Sequence, residues 1–234
     1  MTTDTSPAQW HRAHAAYSGF AQYLVRALQG QPIGDVLSIR VARLFWQQAV
    51  EDTCAIGCLI EKRFVGSTRA LIRPQFESLA RGAWVLRCAD EATVQAIVDY
   101  QNQFPMLHGV VQALTSLKEP FAVVGGAVPF DQLASRSRDA MNDLTHRGTR
   151  ALARRSIANA ASSSIDDDEI SLFHLGASIG GIAGAAFLES TGNPAGAQQL
   201  IDQLVEAAQT WGGFDHVDWR TSSPTNAATT ESNS

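Results

Sequence analysis

Four side chains at four-residue spacing, Arg69, Arg73, Glu77 and Arg81, form the first grouping in the chain that could do chemistry. On a helix this spacing lines them along one row. Beside it runs an apolar row, Ile72, Phe76, Leu79, Ala80 and Trp84, which must face a core. Charged heads at the edge of a core are costly unless paired, so Glu77 is expected between Arg73 and Arg81. The row is then either a solvated ladder, worth about 0.2–0.5 kcal/mol per pair, or a half-buried anion or catalytic site. A second grouping lies between residues 136 and 155, where six Arg stand against Asp139 and Asp143 and make the one basic patch of the chain. Within it Arg138, Asn142 and His146 recur at i, i+4 and i+8. His146 could serve as a general acid or base, with Arg138 or Arg73 stabilising a phosphorane. The candidate catalytic residues are His146, Arg138 and Glu77. The candidate ligand-binding residues are Arg69, Arg73, Glu77, Arg81, Asn142, His146 and Arg150.

Helices must position these residues. Ser6-Pro7-Ala8-Gln9 is a helix start, followed by Trp10, His14, Tyr17, Ala21, Leu24 and Leu28 on one face, with Gly30 as the stop. A second helix runs from Gly34-Asp35 to about Arg63, its face read as Leu37, Val41, Leu44, Gln48, Ala55 and Leu59. The Arg/Glu row occupies the third, from Gly66 to Ala89. Pro74 inside it predicts a kink or a first-turn position. Asp90 caps a helix expected to reach Gln103, and Phe104-Pro105 breaks it before a short helix from Met106 to Leu117. Lys118 to Pro129 reads as a loop around Gly125-Gly126. Phe121–Val124 could pair as a strand, but no partner strand is apparent, so the class is all-α. The basic patch follows on a helix from Phe130, and four acids at 166–169 open the next one. That helix, Ile170 to Ser190, carries Gly176, Gly180 and Gly184 on one face, a surface that another helix can approach closely. Pro194 to Trp211 closes the set, with Leu200, Ile201, Leu204, Val205 and Ala208 inward. The expected architecture is a single helical bundle of about seven to eight helices over 1–214, with a disordered tail over 215–234.

Composition narrows the function. A net charge of −5 gives no global argument for nucleic acid. Three cysteines, Cys54, Cys58 and Cys88, do not make a disulfide scaffold, and no signal-peptide pattern opens the chain, which points to the cytoplasm. Cys54 and Cys58, four apart, lack two further metal ligands and read as buried small hydrophobes. Residues 170–188 lack charge and have bilayer-spanning length, but their Ser, His and four Gly favour a buried central helix over a membrane span. No Walker loop, dinucleotide fingerprint, zincin motif or serine elbow is present, and no cofactor or metal is expected.

Two motifs carry a resemblance: Arg69-x-x-x-Arg73-Pro74-x-x-Glu77 followed by Trp84, and Asn142-x-x-x-His146-x-Gly148 followed by Arg154-Arg155. Together, over residues 35–210, they resemble an uncharacterised family of bacterial all-helical proteins, which implies a fold and no mechanism. More distantly the chain is similar to HEPN and abortive-infection helical bundles, some of them ribonucleases with Arg four to six residues before His. Here seven residues separate Arg138 from His146.

Three readings follow. The first is a bundle whose polar Arg/Glu/Asn/His site binds a small ligand or a partner protein. The second is a metal-independent, HEPN-like ribonuclease or toxin, acting on RNA in a phage-defence or toxin–antitoxin context. The third is a structural module whose glycine face mates with another copy. Glu77 is further expected to meet Asn142, His146 or Arg150 in one shared site.

Overall fold

Ala, Gly and Thr at helical spacing let backbones approach closely, and the bundle is built around those approaches. A computed structural model of the chain describes residues 7–146 and 167–211, with side chains over 8–140 and 170–211. The elements run α1 (Pro7–Leu28), α2 (Leu37–Glu61), α3 (Val65–Arg87), α4 (Glu91–Val98), α5 (Leu107–Thr115), β1 (Ala122–Val123), β2 (Gly126–Ala127), α6 (Phe130–His146), α7 (Asp167–Ser190) and α8 (Pro194–Gln209). The class is all-α. The tail read from 215 onward lies outside the described residues.

Helix α7 is the centre, packing against α1, α2, α3, α6, α8 and β1. Its glycines are the reason. Gly176 lies against Tyr17 and Ile56, Gly180 against Thr53, and Gly184 against Leu24 and Leu200. The glycine face is therefore covered by the chain's own α1, α2 and α8, which overturns the reading in which it mates with another copy. Ile170–Ser190 is long and apolar enough to cross a membrane, and 89% of its most apolar window is buried inside the bundle.

The faces of α1 and α8 follow their sequence periodicity: Trp10, Tyr17, Ala21 and Leu24 are buried in one, Leu200, Ile201, Leu204 and Ala208 in the other. Asn193 caps α8 by accepting from the Gly196 amide at 2.9 Å, and Asp90 caps α4 by accepting from Thr93 at 2.8 Å. Helix α2 turns the other way from its expected face. Leu44 is 50% exposed, while Ala42, Trp46, Ala49, Val50, Thr53, Ile56 and Ile60 are buried. Because α2 carries apolar residues on every side, close approach at Ala49, Thr53 and Gly57 selects the buried one, not the largest side chains. Cys58, on the outer side, is exposed rather than buried. Pro74 lies in the interior of α3, not in its first turn.

Helix α4 stops at Val98, short of Gln103. The Tyr100 amide donates to Ile97 O and the Gln101 amide to Ala96 O, the pair of bonds that closes a Schellman end, with Tyr100 in the left-handed position at φ 57°. The loop around Gly125 holds a partner strand after all: Ala122 pairs with Ala127 and Val123 with Gly126. Val124 and Gly125, both at positive φ (53° and 74°), make the tight turn that such a hairpin needs. Two-residue strands leave no period in a sequence. The turn is tied to the end of α7 by the Val124 amide, which donates to the Glu189 carboxylate at 2.8 Å.

Candidate functional site

Helix α3 delivers the Arg/Glu row to the rim of the core. Arg81 Nη2 donates to Glu77 Oε1 at 2.5 Å, and the two side chains are 29% and 26% exposed. The Arg81 guanidinium also lies 5.2 Å over the Phe104 ring, while its Nε is buried without a hydrogen-bond acceptor among the described residues. Glu77 is thus engaged by Arg81. Arg73 is exposed and Arg69 half-buried, and neither is without a partner.

The second row rides on α6, which packs against α3. Arg138 is exposed there. Arg136 is half-buried, and that burial pulls its pKa down from the ordinary arginine value. The side chains of Asn142 and His146, and all of Arg150, lie outside the described residues. The meeting of Glu77 with His146 lies outside them too, although their helices are neighbours. Among the described residues no group of three or more His, Cys, Asp or Glu is placed to hold a metal.

The most engaged polar groups are ones the charge pattern does not reveal. Gln75, fully buried on α3, places its Nε2 at 2.8 Å from both Thr53 Oγ1 and the Gly176 carbonyl. Thr53 Oγ1 in turn donates to Ala49 O at 2.9 Å, and Tyr17 donates to the Thr53 carbonyl at 2.9 Å. This network ties α1, α2, α3 and α7 together. Burial pushes the Tyr17 phenol pKa well above its usual range. Arg43, 4% exposed, closes the C-terminal end of α7. Its Nε donates to Ser190 Oγ at 2.8 Å, its Nη2 to the Ser190 carbonyl, and its Nη1 to the Pro32 carbonyl at 2.8 Å. A cation suits the negative end of a helix. Gly34, at φ 93°, leaves the room: a Cβ there would come 2.7 Å from Nη1. The sequence signal for Arg43 is a charge inside the otherwise apolar run Val41–Trp46 of α2.

A third grouping surrounds Phe104. Its ring meets Phe45 of α2 edge-on at 5.1 Å and Trp84 of α3 at 6.1 Å, with Arg81 above it. In sequence, Leu44 adjoins Phe45, and the exposed Val98, Tyr100 (97%) and Met106 (73%) flank Phe104. Asp52, further along α2, is buried. Its carboxylate accepts from Gln48 at 3.2 Å and meets no cation among the described residues. Burial, reinforced by nearby Glu51, raises its pKa against the opposing Gln48 hydrogen bond. By contrast, the crevice between the hairpin and α7–α8, lined by Val123, Ala127, Val128, Ile182 and Ile201, is apolar and has no room for a water molecule.

Residues 46–167 match DUF6988, a family of unknown function. The chain belongs to DUF6988. The DUF6988 span takes in most of α2 and all of α3 to α6, and with them both polar rows and Phe104. No curated protein and no solved structure matches the chain.

Proposed function

We propose that the chain is a protein-interaction module whose docking face surrounds Phe104. Tyr100 carries this reading. An aromatic side chain almost fully exposed, on a residue held in the left-handed backbone region, costs the isolated fold both solvation and conformational energy. Four residues further along the chain, the Phe104 ring meets Phe45, Trp84 and Arg81, residue types enriched at protein interfaces. The Glu77–Arg81 pair gives the face a polar rim instead of a small-ligand site. We read residues 1–214 as one domain acting in the cytoplasm, where the free thiols of Cys54, Cys58 and Cys88 fit a reducing compartment.

A photo-crosslinking amino acid at position 100 tests the reading. The expected result is a discrete protein adduct, absent when the same group replaces exposed Ala122. The purified partner should then bind Tyr100→Ser about tenfold more weakly, a loss of about 1.4 kcal/mol. Equal adducts at both positions, or unchanged affinity, would overturn it. Exposed Arg138, on the helix that carries His146, supports a second reading as a metal-independent ribonuclease. Cleavage of total RNA by the pure protein in EDTA, lost in His146→Ala, would establish it.

A further inference from the structure

Helix α2 carries a pair of thiols that neither the core nor the surroundings of Phe104 use up. Cys54 and Cys58 lie one turn apart, at i and i+4 of an unbroken helix. Cys54 is half-buried and packed against the core, and Cys58 is exposed. An exposed thiol adds little to packing, so what it offers is its chemistry. The two side chains are close enough to act on each other. Burial raises the Cys54 pKa, and the charge of Cys58 raises it further, ahead of that of Glu51. Both thiols also act on the buried Tyr17 phenol, which places the pair beside α1.

The helix decides what the pair can hold. Side chains at i and i+4 have Cβ atoms about 5–6 Å apart. A disulfide needs about 3.5–4.5 Å, so an intact α2 resists a direct bond between the sulfurs. An ion held in line between them, with metal–sulfur bonds of about 2.3 Å, sets the sulfurs about 4.6 Å apart, which this spacing accommodates. Zinc asks for four ligands, and among the described residues no third His, Cys, Asp or Glu joins the thiols. Soft thiolates without harder donors select copper(I).

We infer that Cys54 and Cys58 form a two-coordinate site for copper(I). Binding makes two copper–sulfur bonds, releases the two thiol protons to water and changes no oxidation state. The exposed Cys58 gives the ion a way in and out without opening the bundle.

Copper(I) titrated anaerobically into the whole reduced chain, in competition with a chromogenic copper(I) chelator, tests it. The chain should hold one ion, with the ultraviolet charge-transfer band of copper–thiolate bonds. Cys54→Ser and Cys58→Ser should each weaken binding at least about 100-fold, because each leaves one thiol where two act together. Cys88→Ser should leave it unchanged. Thermal melts check each fold, and Cys58→Ser, at an exposed position, keeps the test open if Cys54→Ser unfolds. Copper stripped from the wild type as readily as from Cys58→Ser would overturn the site, as would binding that follows Cys88. Sedimentation showing a copper-dependent dimer, lost in Cys58→Ser but kept in Cys54→Ser, would assign the ion to two chains and overturn the pair. A Cys54–Cys58 disulfide formed by oxidised glutathione, with helix content unchanged by circular dichroism, would overturn the geometric argument for an ion.

Discussion

At Gln75 a neutral amide does what the charge pattern assigns to arginines: it joins helices. Its Nε2 reaches Thr53 on α2 and the Gly176 carbonyl on α7. Gln75→Leu keeps the volume and removes that donor, but it also removes Gln75 Oε1, buried without a partner among the described residues, so unfolding in urea should show a loss of about 1–2 kcal/mol. Nothing at the sequence level marks this glutamine. Its partners lie 22 and 101 residues away, and its neighbours Arg73 and Glu77 draw attention outward. Glu77 and Arg81 are legible because an i, i+4 pair needs no tertiary information. Tyr100 is legible as neither core nor loop, since only the Schellman geometry shows that it occupies a position suited to glycine. Tyr100→Gly should therefore stabilise the fold by about 1 kcal/mol in the same urea experiment. Stabilisation by Tyr100→Gly together with weaker binding by Tyr100→Ser would mean that the residue is kept for binding.

Among the elements, periodicity was sufficient for α1, α7 and α8, where one face is clearly apolar or clearly small and the ends carry Pro, Asn or Gly. It failed for α2, whose apolar residues encircle the helix, and for the hairpin, whose strands are shorter than any pattern. The contact of α7 with α2 is the tightest of these. A Cβ at Gly180 would collide with Thr53 Oγ1, so Gly180→Ala should cost about 3 kcal/mol by thermal unfolding. Adding Thr53→Ala should recover part of that loss, because the two sites share one space and their effects do not add. The Glu77–Arg81 pair, partly screened by solvent, falls between an exposed ladder and a buried ion pair. Glu77→Ala should cost about 1 kcal/mol, against about 0.3–0.5 for an exposed pair and 3–5 for a buried one. A loss near the upper figure would mean that Glu77 has a further partner on α6.

The whole molecule is closed by Trp211. Its indole Nε1 donates to the Ala13 carbonyl at 2.9 Å across 198 residues, its ring lies 6.1 Å from Tyr17, and the His174 ring meets it edge-on at 5.0 Å. Trp211→Ala should cost about 4 kcal/mol. Amide hydrogen exchange should then speed up in α1 as well as α8, because both helices lean on the same indole. The central place of α7 has a consequence for how the chain is made. Residues 7–61 emerge from the ribosome with Tyr17, Leu24, Thr53 and Ile56 shaped to meet glycines that have not yet been translated. At ordinary elongation rates that wait is on the order of 10 s. For that interval the nascent chain carries an open groove where the finished protein carries a helix, which makes the first two helices the segment a ribosome-bound chaperone would have to hold.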